Sequence, residues 1–207
     1  MRPSPPDGSG LSSLPVKLNL GCGRDHRPDC LNLDLAPEVE PDLVHDLDVY
    51  PYPLPRGHFT TIYVLDVIEH VADVAAFMEE VHALLAPDGV VEITTPHFSA
   101  ANAFTDPTHR RQLGMFSFDF FTAGNPLSYY SRVRFELAER ILVFYPTLLS
   151  RLVTPLANRH PQAYERRFAW IFPAWFMIFR LRAIAAKNSE NAGTPENAEA
   201  GAEVPAV

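Results

Sequence analysis

Residues 16–23, Val-Lys-Leu-Asn-Leu-Gly-Cys-Gly, place two glycines directly after an apolar run. A β-strand that ends in such a Gly-x-Gly turn can bring its backbone amides close to a ligand, because glycine carries no side chain. A second apolar run begins at Leu31 and ends in the carboxylate of Asp34. A carboxylate at the tip of the neighbouring strand is placed to accept hydrogen bonds from ribose hydroxyls. Gly21, Gly23 and Asp34 together predict a site for a nucleoside-containing cofactor.

The spacing of these residues distinguishes between nucleoside cofactors. A dinucleotide fingerprint has a third glycine three residues after the second, where a helix N-terminus meets the pyrophosphate. His26 stands at that position, and residues 24–29 leave no room for a long helix before Leu31. Asp34 also arrives well before the acidic position about 20 residues beyond the glycines of a dinucleotide site. The pattern therefore favours S-adenosylmethionine (SAM), which has no pyrophosphate, over NAD.

A second group of reactive side chains lies between residues 96 and 111. It comprises His97, Asp106, His109, Arg110 and Arg111. Methyl transfer from a sulfonium requires the acceptor to be held in line with the methyl group, and an alcohol acceptor must also lose a proton. Histidine is the suitable base near neutral pH. We therefore hypothesise that His109 or His97 deprotonates the acceptor and that Asp106 orients His109.

The same segment allows other interpretations. Arg110 or Arg111 could bind a carboxylate or phosphate on the acceptor. Asp106-Pro107-Thr108 is also typical of a turn or of a helix start, in which case Asp106 is a cap. A metal site formed by His97, Asp106 and His109 would fit no standard ligand spacing, so no metal is predicted.

Strands and helices alternate along the chain, which is typical of an α/β sheet with helices on both faces. Asp73 is expected to cap a helix whose apolar residues recur at helical spacing. The irregular segment 96–130 is expected to be an active-site lid or insertion, with a short aromatic helix over 117–122. The predicted strands are 16–20, 31–34, 42–47, 60–67, 90–95, 132–144 and 176–184, and the capped helix is 74–86.

Residues 168–178 are almost wholly apolar or aromatic, but Pro173 interrupts the run and Arg180 follows it. The run is too short for a membrane span, which needs about 20 apolar residues. We expect a buried helix that turns at Pro173 into the final strand. Contact of this segment with a membrane surface is the less favoured alternative.

Composition limits the remaining possibilities. The chain has 207 residues, 47% of them hydrophobic, which suits one globular domain over residues 15–186. A net charge of −8 gives no overall basic field, so no nucleic-acid partner is expected. Two cysteines favour a reduced, cytoplasmic compartment, and the Pro- and Ser-rich start is not a signal peptide. Residues 1–14 and the acidic tail 187–207 are expected to be disordered.

The order of six short motifs resembles that of the class I SAM-dependent methyltransferases, in particular a compact bacterial group with a shortened loop between the first two strands. The resemblance covers most of residues 16–185 and implies a Rossmann-like sheet, mostly parallel, with an antiparallel closing strand. The motifs are Leu-Asn-Leu-Gly-Cys-Gly at 18–23, Leu-Asn-Leu-Asp at 31–34, His-Asp-Leu at 45–47, Asp-Val-Ile-Glu-His-Val at 66–71, Leu-Leu-Ala-Pro-Asp-Gly-Val-Val at 84–91 and Thr-Pro-His at 95–97.

The resemblance also implies roles for individual residues. Asp34 would hold the ribose, Asp46 and the Leu47 amide would meet the adenine, and the end of the fourth strand would pass beneath the sulfonium. The predicted cofactor-binding residues are Leu20, Gly21, Cys22, Gly23, Asp34, Leu35, Asp46, Leu47, Asp66 and Val67; the predicted substrate-binding residues are His70, Arg110 and Arg111. An equally favoured interpretation is that Glu69 and His70 cap the following turn or anchor the loop. The first loop departs from the pattern, because Asp25 replaces the usual third glycine and Asp29-Cys30 stands where relatives often carry Gly and a large aromatic residue.

The predicted function is transfer of a methyl group from SAM to a small-molecule or glycan-type acceptor, at oxygen. Two alternatives are a NAD(P)-linked oxidoreductase or epimerase on a related fold, and a non-catalytic SAM-binding module whose aromatic C-terminal segment binds a partner or a membrane. The sequence does not specify the oligomeric state.

Overall fold

A seven-stranded mixed sheet, in the order β3-β2-β1-β4-β5-β7-β6, organises the chain. The computed structural model describes residues 14–126 and 131–184. The strands are β1 (Lys17–Leu20), β2 (Leu31–Asp34), β3 (Leu43–Val44), β4 (Phe59–Leu65), β5 (Leu85–Pro96), β6 (Phe135–Val143) and β7 (Phe176–Ala183). β7 runs antiparallel to both neighbours, β5 and β6, and the other strand pairs are parallel, which confirms the predicted fold class. The disorder predicted for 1–14 and 187–207 lies outside the described residues, apart from Leu14.

Four helices accompany the sheet within the described ranges: α1 (Val74–Leu84), α2 (Asn102–Thr105), α3 (Ser150–Arg159) and α4 (Pro161–Arg167). The predicted start of α1 is confirmed, because Asp73 accepts hydrogen bonds from the amides of Ala75 and Ala76. The helix ends at Leu84 rather than at the predicted residue 86, since Leu85 already pairs with Phe59 of β4. No helix in these ranges has the length and apolar run needed to cross a membrane.

One face of the sheet carries the core. The side chains that point to it from β1, β4 and β5 are fully buried: Leu18, Leu20, Ile62, Val64, Val91 and Ile93. α1 packs on this side, where the His82 and Phe135 rings lie 5.1 Å apart. On the opposite face, near β1 and β2, the loop 22–30 contains no helix, as predicted, and the Arg27 guanidinium rests 4.1 Å from the centre of the Tyr63 ring.

The order of the strands creates a crevice at one end of the sheet. From β1 the chain moves outward through β2 and β3, then returns to β4 on the other side of β1. This reversal leaves a crevice at the carboxyl ends of β1, β2 and β4, which is where open α/β sheets bind ligands. β3 is shorter than predicted because Asp46 begins a turn, in which its carbonyl accepts from the Val49 amide.

The segment between β6 and β7 differs from expectation. The segment 145–167 contains α3 and α4, which the sequence did not predict. Residues 168–172 form an exposed turn rather than a buried helix; the side chain of Trp170 is 69% exposed. The prediction of burial is wrong because a short apolar run does not reveal whether another element covers it.

Candidate active site

A cleft of about 370 Å³ opens at the carboxyl ends of β1, β2 and β4. Its lining residues are Gly21, Asp34, Leu35, Asp46, Leu47, Asp48, Asp66, Val67, His70, Val71 and Arg110. Seven of the predicted cofactor-binding residues and two of the predicted substrate-binding residues thus meet in one cavity. Asp48 and Val71 were not predicted.

Asp34 is held firmly at the tip of β2. Its Oδ2 accepts from the Gly23 amide at 2.8 Å and its Oδ1 accepts from the Ala36 amide at 2.9 Å. A carboxylate oxygen can accept more than one hydrogen bond, so both oxygens keep capacity for a ligand. Two fixed amides on one carboxylate pre-orient it for binding a diol.

The backbone amides of the glycine turn bond to β2 and to the carboxylate of Asp34. The Cys22 amide donates to the carbonyl of Leu33 at 3.0 Å, and the Gly23 amide donates to Asp34. Leu20 and Cys22 are buried, and burial raises the pKa of the Cys22 thiol. Leu20, Cys22 and Gly23 are not among the residues that line the cleft; the amides of Cys22 and Gly23 connect β1 to β2.

Position 21 requires glycine for a different structural reason. Its φ of +64° lies in the left-handed region, and a Cβ built there would approach Cγ2 of Val67 to 2.4 Å. Glycine thus allows the ends of β1 and β4 to meet closely at the floor of the cleft. Gly23 is also left-handed, with φ +48°, but a Cβ there would meet nothing within 4 Å.

The charges of the cleft favour a cationic ligand. Four carboxylates, from Asp34, Asp46, Asp48 and Asp66, face one guanidinium, that of Arg110. That guanidinium lies 3.8 Å from Asp48, so its charge is partly offset. A negative cleft attracts a sulfonium and repels a pyrophosphate. The donor set therefore fits SAM and does not fit a dinucleotide.

Asp66 marks the point where β4 ends. Its φ of +56° is unusual for a residue with a side chain, and such backbone is concentrated at functional sites. The hydroxyl of Thr94 donates to Asp66 Oδ1 at 3.2 Å. Burial raises the pKa of Asp66. The left-handed turn directs the following residues, including His70, along the wall of the cleft.

His70 is the acid–base group that lines the cleft, and it is oriented by a hydrogen-bonded chain. The Thr108 hydroxyl donates to Asp106 Oδ1 at 2.6 Å, so its oxygen is left to accept from Nδ1 of His70 at 3.0 Å. Among the described residues, no hydrogen bond occupies Nε2 of His70. Burial, together with the neighbouring His109, lowers the pKa of His70. The imidazole is therefore neutral at physiological pH and has a free basic nitrogen.

His109 stands behind His70, with ring centres 4.7 Å apart. Its Nδ1 donates to the carbonyl of Ala103 at 3.2 Å, and its Nε2 lies 3.9 Å from both Asp106 Oδ2 and Glu69 Oε1. The predicted pairing of Asp106 with His109 is thus a long contact, whereas Asp106 reaches His70 through Thr108.

Glu69 is a buried carboxyl beside these histidines. The Thr95 hydroxyl donates to its Oε2 at 2.9 Å, while Oε1 has no hydrogen-bond partner among the described residues. Burial raises the pKa of Glu69 to about 7. One ligand-type atom from each of Glu69, His70 and His109 lies within 4.8 Å of the others, so these three residues have the geometry to hold a metal ion.

Two residues predicted to contact the substrate have structural roles instead. His97 is fully buried; its Nδ1 contacts the Ser99 hydroxyl at 2.7 Å and its Nε2 contacts Glu165 of α4 at 3.3 Å. The Arg111 guanidinium donates to the carbonyls of Ile68, Val71 and Ala72. Neither side chain lines the cleft. The sequence did not predict α4, which supplies Glu165 as a partner of His97.

Sequence reasoning missed Thr108 and Asp48. Thr108 lies in the segment 96–111, which was already considered reactive. The only sequence signal for its role was a hydroxyl two residues after the carboxylate of Asp106. Asp48 has two contacts that fix the rim: its Oδ1 accepts from the Ala72 amide at 2.7 Å, and its amide donates to Asp46. Its proximity to Asp46 in the sequence was the available signal.

The fold and the cleft define a Rossmann-like domain built for a nucleoside sulfonium. Comparison with known proteins agrees: the family model described as "Methyltransferase domain" matches residues 15–138, which is more than half of the chain. The chain belongs to this family. It is a class I SAM-dependent methyltransferase, and SAM is its cofactor. This assignment replaces the NAD(P)-linked and non-catalytic alternatives.

Solved structures show the same fold at low sequence identity. The YcgJ protein from Bacillus subtilis is 17% identical with a TM-score of 0.51, covering 81% of this chain and 90% of that one. A SAM-dependent methyltransferase from Archaeoglobus fulgidus is 16% identical with a TM-score of 0.50, covering 83% of this chain and 87% of that one. No curated protein matches the chain.

Proposed function

We propose that this enzyme methylates a hydroxyl oxygen of a small-molecule or glycan-type acceptor, with His70 as the general base. The observation that carries the proposal is the free Nε2 of His70, on the wall of the cleft, behind which Thr108 and Asp106 form an orienting chain. A neutral amine has less need of such a base, because its lone pair can attack directly. Oxygen acceptors need one because a neutral alcohol must lose its proton as the new bond forms.

The cofactor contacts follow from the lining residues. Asp34, fixed by two amides, would accept from the ribose hydroxyls. Asp46 would accept from the exocyclic amine of adenine, beside Leu47, whose carbonyl accepts from the Tyr52 hydroxyl at 2.8 Å. Gly21 and Val67 form the floor of the cleft. When bound, SAM supplies an activated methyl group on a positively charged sulfur.

The chain's own residues position the acceptor and move the proton. Nε2 of His70 would take the hydroxyl proton as the acceptor oxygen attacks the methyl group that SAM would supply. The resulting imidazolium donates from Nδ1 to Thr108, whose hydroxyl donates to the Asp106 carboxylate, so the positive charge is stabilised at its origin. Arg110, at the outer rim, is placed to bind an anionic group on the acceptor.

Methyl transfer to fractionated small molecules and glycans, with labelled SAM, tests the proposal. We expect His70→Gln to lower kcat at least 100-fold while binding of S-adenosylhomocysteine (SAH) stays within about twofold, since general-base catalysis contributes about 10²–10⁴-fold. His26→Gln is the matched control, because His26 is exposed and lies outside the cleft. Mass spectrometry of the product identifies the methylated atom.

Thr108→Val isolates the orienting chain, since it keeps the shape and removes the hydroxyl. We expect a partial loss of kcat, smaller than that of His70→Gln. Full activity of the His70 variant, or a product methylated at nitrogen or carbon, would overturn the proposal. Loss of SAH binding in the same variant would show instead that His70 serves the cofactor.

A further inference from the structure

An exposed apolar surface covers one end of the protein, between residues 145 and 172. Nine of the fifteen exposed large hydrophobic residues of the described chain lie within these 28 positions. They are Tyr145, Leu148, Leu149, Leu152, Leu156, Phe168, Trp170, Ile171 and Phe172. Single exposed hydrophobic residues are ordinary, but a contiguous group of this kind marks an interaction site. We call this group the C-terminal apolar surface.

α3 presents one apolar row inward and another outward. Ala157 is buried and Val153 is half-buried, and the Asn158 side chain bonds both the amide and the carbonyl of Leu142 in β6. The outer row faces solvent: Leu152 and Leu156 of α3, together with Leu148 just before the helix, are 74%, 64% and 81% exposed. The helix is therefore anchored to the sheet, and its outer leucines are not needed for the core.

The turn after α4 is also held in place. The buried Tyr164 hydroxyl donates to the carbonyl of Phe172 and accepts from the amide of Ala174, both at 2.8 Å. These bonds fix the loop that exposes Trp170 and Ile171. A nearly wholly apolar hollow of about 330 Å³ lies between α3 and α4, lined in part by Leu156 and Phe168. The outer leucines and the aromatic turn thus form one continuous surface.

The charges around this surface are positive, although the whole chain carries a net charge of −8. Arg151, Arg159, Arg166 and Arg167 are exposed, and no described carboxylate lies within 4.0 Å of their guanidinium groups. Glu165 is the only acidic residue between 145 and 172, and it turns inward to His97 and the Met115 amide. The segment therefore combines leucine and aromatic residues with unneutralised arginines.

We propose that the C-terminal apolar surface binds the surface of an anionic phospholipid membrane. An amphipathic helix with leucines outward and arginines beside them inserts its apolar side between headgroups while the arginines meet lipid phosphates. Trp170 is suited to the interface, where an aromatic ring is half in hydrocarbon and half in water. Arginines without carboxylate partners, beside outward leucines, complement the negative charge of an anionic lipid surface.

The C-terminal apolar surface lies at the same edge of the sheet as the cleft. β6 ends, and β7 begins, at the same edge of the sheet as the carboxyl end of β5, because Val143, Phe176 and Pro96 are in register. Membrane binding would therefore bring the cleft near acceptors held at the bilayer. This consequence, unlike the binding itself, rests on the proposed function.

Co-sedimentation of the full chain with vesicles tests the proposal. We expect binding to vesicles of phosphatidylcholine with 30% phosphatidylglycerol, little binding to phosphatidylcholine alone, and weakening by salt. Leu152→Glu should lower partitioning at least tenfold, and Arg151→Gln should lower it about fivefold on anionic vesicles only, since each surface arginine contributes about 1 kcal/mol. Val44→Glu and Arg24→Gln are matched controls, because both residues are exposed elsewhere.

SAH titration of each variant keeps this test separate from the proposed catalytic function, because none of the four residues lines the cleft. Absence of binding to anionic vesicles would overturn the proposal. A monomer–dimer equilibrium that Leu152→Glu abolishes, measured by sedimentation without vesicle binding, would overturn it in favour of an interface between copies of the chain.

Discussion

Replacing Gly21 with alanine perturbs the junction between β1 and the floor of the cleft. The new Cβ would lie 2.4 Å from Val67 Cγ2, and the backbone would stay at φ +64°. A left-handed residue with a Cβ costs about 1–2 kcal/mol, and overpacking a well-packed site costs about 1–3 kcal/mol more. We therefore expect Gly21→Ala to lower the free energy of unfolding by about 2–5 kcal/mol.

Gly23→Ala is the matched control, because it shares the left-handed backbone and has no atom within 4 Å of its Cβ. It should show only the backbone cost, about 1–2 kcal/mol. Urea unfolding measures both variants, and SAH titration follows the cleft. Since Val67 lines the cleft, its displacement by alanine at 21 should weaken SAH binding more than the change at 23 does.

A double mutant separates the clash from other effects. Val67→Ala removes both γ-methyl groups, so Gly21→Ala should cost less in that background, with a coupling energy of about 1–3 kcal/mol. Equal costs for alanine at 21 and 23, or strictly additive effects of the changes at 21 and 67, would refute the packing argument.

Three further predictions concern the acid–base groups. In urea unfolding, the free energy of unfolding of Glu69→Gln relative to that of the parent should increase by about 2–3 kcal/mol as the pH rises from about 5 to about 8. The folded-state pKa of Glu69, about 7, exceeds the unfolded value, so the parent loses stability as pH rises through this range; a pH-independent difference would contradict this. The pH profile of kcat/KM should rise with a midpoint below 6.5, because burial lowers the pKa of His70; a midpoint above 6.5 would exclude it as the base. EDTA should leave turnover unchanged, whereas loss of activity that Mn²⁺ restores would make Glu69, His70 and His109 metal ligands instead.

The parallel part of the sheet was predictable because its signals are local. The apolar runs at β1 and β2 end in glycine and aspartate, and α1 has both a cap and a helical period of apolar residues. The carboxyl ends of such strands meet at one edge, so Asp34, Asp46 and Asp66 could be expected in one cleft before any coordinates. The lengths of β3 and β5, the end of β4 and the last residue of α1 differed from expectation.

The partners within the site were not predictable, because they depend on contacts distant in sequence. Asp106 was expected to orient His109, three residues away, but reaches His70 through Thr108, across 38 positions. The glycine turn was expected to offer free amides, yet these amides are used by β2 and Asp34. Pattern alone shows which groups can bond and does not show which partner is nearest in space.

The C-terminal apolar surface illustrates the limit of hydrophobicity as a guide. Residues 168–172 have the composition of a core segment, and burial is the usual outcome for such residues. Here the buried side of α3 already covers the sheet at Leu142, so the second apolar row has no element left to pack against within the described residues. Exposure of that row follows from how few helices accompany the sheet.

A crystal structure with SAH tests the central claim most directly, because the claim places one ligand against named atoms. We predict ribose hydroxyls within hydrogen-bonding distance of the Asp34 carboxylate, the adenine beside Asp46 and Leu47, and the sulfur facing His70. Binding of SAH at any other place, or a cleft that stays empty at saturating SAH while NADH occupies it, would contradict the account.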